Sequence, residues 1–462
     1  MRPLALPSVS ALRRLIPRRA GAPLTPTARR QLLAWSIVWA GLWSVAAQAA
    51  LPIQHWTTSR GARVVFVRAD AIPMLDVSIA FDAGERHDPP GRVGLASMVI
   101  GMLARGVEGL DESQIADLLA DIGAIRGGAA DDDRASVSMR TLTSAAERDA
   151  AIDLLARLVS RPTFPDALLS RERERSLQAL RESLTKPEVI AGRAFYPAVF
   201  GDHPYGAQRT PEGLNAITRD DLLRFHQARF GAAQAVIAMV GAITREEAER
   251  IAERLVRDLP AGAAASPMPA IAPPRGGEQR LPHPASQSHL LVGSLGIARD
   301  DPDFFPFFVG NYILGGGGFV SRLTDEVREK RGLSYSVSSG FSPMAQPGAF
   351  VISLQTRKEQ TDEALQVVRK TLADFVARGP TPQEMEAARK NLVGGFALRI
   401  DSNGKILANL ANIAWYRLPL DYLETWTQRI EAVTAEQVRT ALARRLQPDQ
   451  MVTVIVGAGE AR

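Results

Sequence analysis

Apolar and polar positions recur along this chain in two series, and the second repeats the first. From Met74 to Phe81 the two kinds alternate, with Leu75, Val77, Ile79 and Phe81 set against Asp76 and Ser78, the two-residue period of a half-buried strand. Asp88-Pro89 breaks this pattern, and an apolar helix is predicted over Gly94–Leu103. In the second half a strand is predicted over Leu290–Leu295, Asp301-Pro302 breaks it, and a helix follows over Phe304–Leu314. The middles correspond as well. Helical periodicity over Ala146–Val159 stops before Pro162 and resumes over Asp166–Leu184; over Thr361–Val376 it stops before Pro380 and resumes over Pro382–Leu398. Each series closes alike. Thr218 heads an amphipathic stretch (Leu222, Leu223, Phe225, Phe230) that runs into Val236-Ile237-Ala238-Met239-Val240-Gly241, and Thr434 heads one that runs into Val452-Thr453-Val454-Ile455-Val456-Gly457. Threonine to closing glycine spans 23 residues in both, which reads as an N-capped helix followed by a buried strand.

Between the series, residues 261–285 hold Ala261-Gly262-Ala263-Ala264-Ala265-Ser266-Pro267 and Pro273-Pro274-Arg275-Gly276-Gly277, an aperiodic stretch rich in Ala, Pro and Gly that reads as a linker. The predicted organisation is a first domain at 50–260, a linker at 261–285 and a second domain at 286–462. Strands that cluster rather than alternate strictly with helices predict an α+β class: two homologous lobes, each a largely antiparallel sheet packed with helices, facing each other across a cleft.

The N-terminus changes the reading of charge. Residues 1–30 carry seven arginines and no acid, an apolar run covers Leu32–Ala46, and Ala47-Gln48-Ala49 offers small residues at a cleavage site. This is the layout of a secretory signal peptide over residues 1–49, predicting export, as to a periplasm, with cleavage after Ala49; a retained anchor is the other reading of the same residues. Removing the seven leader arginines from a formal charge of +5 leaves −2. So weak a charge gives no reason to expect nucleic acid as a partner, or a membrane once the leader is gone. The chain has no cysteine, which excludes thiol nucleophiles, thiolate metal sites and disulfides.

Two stretches carry a specific likeness. Phe200-Gly201-Asp202-His203-Pro204-Tyr205-Gly206, with Thr210 and Ile217-Thr218-Arg219-Asp220-Asp221-Leu222 after it, is one. Leu314-Gly315-Gly316-Gly317-Gly318-Phe319, leading through Ser321-Arg322-Leu323 to Glu326-Val327-Arg328-Glu329-Lys330-Arg331-Gly332-Leu333-Ser334-Tyr335, is the other. Both resemble the M16 (pitrilysin/insulinase) metallopeptidase family, and the likeness covers nearly all of the chain beyond the leader. Active members carry His-x-x-Glu-His on the first long helix, two histidines binding zinc and the glutamate acting on water. Here the frame reads Gly94-Leu95-Ala96-Ser97-Met98-Val99-Ile100-Gly101-Met102, so Ser97, Ile100 and Gly101 stand at the three chemical positions. Ile100 and Gly101 offer no ligand atom, Ser97 offers a poor one, and Ile100 accepts no proton. The family's third ligand, a glutamate, falls near Leu177-Gln178-Ala179-Leu180, with Glu174 and Glu182 read as solvated. Among His55, His87, His203, His226, His283 and His289 none pairs at helical ligand spacing, so no metal is expected.

The resemblance implies that a second element survives. Arg328 and Tyr335 match the pair that holds substrate across the cleft from zinc in active relatives, and a guanidinium and a phenol both donate to a developing oxyanion. Gly315, Gly316, Gly317 and Gly318 match a glycine-rich loop that contacts substrate in inactive subunits of the family; a helix end followed by a turn explains them equally. The implied function is the non-catalytic, peptide-binding subunit of an exported heterodimeric peptidase. Its partner would bear His-x-x-Glu-His and zinc, while this chain holds no cofactor and does not cleave peptides alone. The alternative is a binding or assembly protein on the same fold with no peptidase role.

Overall fold

The alternation over Met74–Phe81 is a strand of those eight residues, and it lies next to the centre of a six-stranded sheet. The computed structural model describes residues 52–262 and 267–457; the predicted leader lies outside them. The first sheet contains β1 (Gln54–Thr57), β2 (Arg63–Arg68), β3 (Met74–Phe81), β6 (Ile125–Ala130), β7 (Ala135–Leu142) and β8 (Val236–Gly241), in the order β1-β2-β8-β3-β7-β6. A separate two-residue hairpin, β4 (Gly106–Val107) with β5 (Leu110–Asp111), sits apart. The second sheet contains β9 (Gly277–Leu281), β10 (Gln287–Leu295), β11 (Val337–Phe341), β12 (Ala349–Arg357) and β13 (Val452–Val456), in the order β11-β12-β10-β13-β9. All pairs are antiparallel except β2 with β8 and β9 with β13, which occupy equivalent places. The expected α+β duplication is therefore present, with five strands matched between the sheets and β1 added at the edge of the first.

The helix starts follow the side chains that cap them. Thr218 accepts a hydrogen bond from the Asp221 N–H at 3.2 Å while the Asp221 carboxylate accepts from the Thr218 N–H at 2.9 Å. Thr434 and Gln437 repeat this exchange at 3.1 and 2.8 Å. Each box satisfies two otherwise orphaned donors and fixes where its helix begins. The predicted mid-lobe helices are found at Ala145–Ser160, Asp166–Ser183 and Thr361–Arg378.

Each lobe lends a helix to the other. Pro187–Phe200, from the first half, packs against β10 and β13 of the second sheet, with Ala191, Phe195 and Val199 seated on Val452, Val454 and Val456. Gly293 in β10 makes room for it, since a Cβ there would lie 2.9 Å from the Phe195 ring. Asn403–Trp415, from the second half, covers the first sheet, with Ile406, Leu410 and Ala414 against Val65, Val67, Val236, Ala238 and Val240. Both helices start 31 residues before the capping threonine, so they are equivalent members of the duplication. The exchange explains why β8 and β13 are buried on both faces: one face meets the lobe's own helices and the other the borrowed one.

Asp133 closes the seam between the lobes. On the turn joining β6 to β7 and 1 % exposed, it accepts from the Tyr205 hydroxyl at 2.5 Å, the Tyr416 hydroxyl at 3.0 Å and the Ala345 N–H at 2.8 Å. Arg134 beside it donates to the Asn412 side chain at 2.6 Å.

Three expectations change. The 261–285 segment is not connection throughout, because Gly277–Leu281 pair with β13 as an edge strand. The helix predicted to Leu314 is α-helical only over Phe304–Asn311 and widens into a π turn over Tyr312–Gly316, where Gly315 lies so close to Ser339 that a Cβ would be 2.5 Å from its N. The helix predicted over Pro382–Leu398 ends at Gly394, where two consecutive glycines interrupt it.

Candidate functional site

The degenerate frame is a helix, Leu95–Met102, entered through Gly94 at φ +105°, a left-handed conformation suited to glycine. The Asp88 carboxylate caps it, accepting from the Gly94 N–H at 2.7 Å and the Ala96 N–H at 2.9 Å. Ser97, Gly101 and Ser176 line one cavity of about 350 Å3 with Glu172 and Arg209, whereas Ile100 is 4 % exposed and packs toward Gly128 of β6. Ser97 donates to Glu85 at 2.6 Å, and Arg209 donates to Ser97 at 2.8 Å while also pairing with Glu85.

Zinc does not fit this arrangement. The one oxygen on the frame is committed at both ends, and a guanidinium already supplies the positive charge, so a divalent cation would meet repulsion where ligands are needed. Glu172 lines the same cavity, but it is paired with Arg105 at 3.2 Å and Arg171 at 3.0 Å. Glu174 and Glu182 are exposed, as expected. Among the described residues no three His, Asp or Glu side chains stand where they could hold a metal. Three of the histidines make other contacts: His226 is buried with Nε2 2.8 Å from the Val159 carbonyl, His87 pairs with Asp82 at 2.7 Å, and the Nδ1 of His203 accepts from the Tyr205 N–H at 3.2 Å. Arg209 escaped the sequence reading because nothing in its neighbourhood marks it; only the fold carries it to Glu85 and Ser97.

Acids crowd the edge of this region. Burial, together with Glu85, Asp131 and Asp133, pushes the Asp132 carboxyl up to about 7, and burial pushes Asp88 up to about 7 as well. An unfolded aspartate titrates near ~3.9. The folded chain therefore holds protons that the unfolded chain has released, and its stability falls as pH rises through the window from about 4 to 7. Asp132→Asn is expected to unfold at higher denaturant than the wild type at pH 8, by about 1–2 kcal/mol, and to show no advantage at pH 4. Equilibrium unfolding at both pH values measures this, and because Asp88 remains, the pH dependence shrinks without vanishing.

The second predicted element lies on the other lobe. Arg328 belongs to a π-helical turn, Thr324–Glu329, a local geometry frequent at functional positions. Its guanidinium carbon is 4.8 Å from the ring centre of Tyr335 and 4.8 Å from that of Phe319. Tyr335 is 85 % and Phe319 73 % exposed, so the cation is held between two rings that open to solvent. Ser334 anchors the approach to Tyr335 by bonding the Ser336 and Gln355 carbonyls, both at 2.7 Å. Phe319 was not singled out from sequence, although it directly follows the glycine run. Within that run, a side chain at Gly315, Gly316 or Gly317 would collide with Ser339, Asn311 or Tyr312. Internal packing alone therefore demands glycine there, while Gly318, at φ +62°, faces open space.

Comparison with known proteins accords with this geometry. Residues 63–210 match the family model described as insulinase (peptidase family M16), and residues 216–392 match the one described as peptidase M16 inactive domain. The crystal structure of a peptidase M16 inactive domain from Pseudomonas fluorescens is 37 % identical, covers 89 % of this chain and 98 % of its own, and superposes with a TM-score of 0.85. A Mycobacterium leprae protein described as an uncharacterized zinc protease is 28 % identical over 424 residues, 87 % of this chain and 91 % of that protein. A Helicobacter pylori protein described as a non-peptidase homolog is 24 % identical over 409 residues, 85 % of this chain and 91 % of that protein.

Proposed function

Since the chain belongs to the M16 (insulinase) peptidase family, we propose that it is the non-catalytic, peptide-holding subunit of an exported two-chain M16 metallopeptidase. One contrast carries this reading: Glu85, Ser97 and Arg209 fill the position of the zinc frame, while the part-buried Arg328 lies against two exposed rings. A chain that had lost all peptidase involvement has no evident use for a tyrosine and a phenylalanine this exposed, set around a part-buried arginine. The partner would carry His-x-x-Glu-His and the zinc. Arg328 and Tyr335 would donate N–H and O–H bonds to the peptide backbone and to the carbonyl oxygen as its charge grows during attack by water. Gly318 leaves space for an extended peptide to pass. Export rests on the basic and apolar leader that ends at Ala49.

The test is to purify the chain with its leader removed, alone and with a zinc-bearing M16 partner. The chain alone is expected to hold no zinc by metal analysis and to leave an unstructured peptide intact, and the mixture to cleave it in a chelator-sensitive way. Chelator-sensitive cleavage by the chain alone would overturn the proposal. The name of the Helicobacter pylori relative favours a second reading, a binding or assembly protein without peptidase involvement. That reading predicts normal complex formation and no effect of Arg328→Ala or Tyr335→Phe on any cleavage.

A further inference from the structure

We propose that the crevice between the two lobes is a binding site for a small oxyanion, held jointly by Arg63 of the first lobe and Arg417 of the second. The crevice has a volume of about 350 Å3, and Arg63, Arg86, Asp82, Tyr416, Arg417 and Asp300 are among its lining. Arg86 is paired with Asp82, which leaves Arg63 and Arg417 against Asp300 alone. Asp82 is already engaged by Arg86 and by His87. Asp300 is exposed at the rim.

Arg63 spends one N–H on the Ala414 carbonyl, at 2.7 Å, and has no carboxylate partner among the described residues. It is half-buried, and burial followed by the field of Arg417 lowers its pKa; no acid acts in the opposite sense. Arg417 makes no hydrogen bond or ion pair among the described residues. The buried Nε of Arg86, also in the lining, has no hydrogen-bond partner either. Guanidinium groups that face one another without an anion are costly, and an oxyanion with several lone pairs is what their fixed donor forks match.

The backbone supplies an independent observation. Arg417 lies at φ +52°, one of two non-glycine residues with positive φ among those described. It follows the helix Asn403–Trp415, whose closing bond runs from the Leu418 N–H to the Ile413 carbonyl at 2.9 Å. Glycine is the residue that such a helix end favours. An arginine there bears left-handed strain for no packing gain, since its side chain is exposed, and strain kept in this way points to a use of the side chain. Because Arg63 and Arg417 come from different lobes, a bound anion would also tie the lobes together.

Phosphate and carboxylate share this chemistry, and the experiment separates them. The leaderless full chain is titrated calorimetrically with inorganic phosphate and, separately, with acetate, chloride holding ionic strength constant. The wild type is expected to bind one phosphate or acetate saturably; the anion that saturates identifies the ligand class. Arg417→Gln is expected to weaken that binding at least about tenfold, a loss of ~1.4 kcal/mol. Arg63→Gln should act in the same direction, but it also removes the bond to Ala414, so Arg417→Gly is the cleaner companion. It relieves the backbone strain, and it is expected to unfold at a temperature no lower than the wild type while losing the anion. Absence of saturable binding of either anion by the wild type, or unchanged binding by the Arg417 variants, would overturn the site. Neither outcome bears on the peptidase reading, which does not involve these arginines.

Discussion

Alanine in place of Arg328 is expected to leave the chain folded and paired while lowering cleavage by the two-chain peptidase about 10²–10³-fold, mostly in kcat. The expectation follows from where the side chain spends its interactions. Its guanidinium contacts two exposed rings and, at 3.3 Å, the exposed Glu329, none of which belongs to a buried cluster. Removing it therefore costs little stability, as surface changes usually do. On the proposed function, what is lost is a charged donor to the forming oxyanion, and the loss would be felt in the transition state more than in substrate binding. Tyr335→Phe keeps the ring that supports Arg328 and removes only the hydroxyl, so it isolates that donor and should cost less than the arginine. Lysine at 328 restores charge without the planar fork and is expected to recover part of the rate. Steady-state kinetics on the reconstituted pair, with the melting temperature of each variant as control, makes the measurement. Full activity of Arg328→Ala in a correctly assembled pair sinks the assigned role.

The second large effect is on stability. Asp133→Ala is expected to destabilise the chain by about 3–5 kcal/mol, because it strands two phenolic hydroxyls and a backbone N–H at a buried seam. Tyr205 and Tyr416 come from different halves of the sequence, so this carboxylate is a buried acceptor that both lobes share. Burial and the neighbouring Asp133 charge raise the pKa of both phenols, which keeps them protonated as donors. Asparagine preserves an acceptor oxygen and should recover part of the loss. Denaturant unfolding monitored by tryptophan fluorescence reads the difference, and Trp415, beside Tyr416, reports on the seam. If alanine and wild type share one midpoint, the seam is held by apolar packing alone.

Much of this molecule was legible one residue at a time. The threonine caps, the two strands that end in glycine and the matched helix pairs all rest on local rules of period and capping that act over a few residues. For that reason both series of elements could be aligned before any fold was known. The empty zinc frame was legible for the same reason: ligation needs particular atoms, and Ile100 and Gly101 lack them wherever the helix is placed. In two of the three places where the expectations changed, a neighbour distant in sequence was responsible. Gly276-Gly277 reads as linker, yet Gly277 begins an edge strand because β13 offers it free backbone partners. The helix from Phe304 widens at Tyr312 where Gly315 meets Ser339, a residue on another strand.

The sequence by itself thus determined the duplicated α+β plan, which depends on residue identity and short-range spacing, and through its resemblance to the family it pointed to the missing metal ligands and to Arg328 and Tyr335. Tertiary structure alone decided that the lobes exchange helices, that Arg209 stands with Glu85 and Ser97 at the zinc position, that Phe319 flanks Arg328, and that Arg63 meets Arg417. Those outcomes join residues from nine to 354 positions apart, and neither periodicity nor composition records which buried face or which charge the folded chain will bring opposite another.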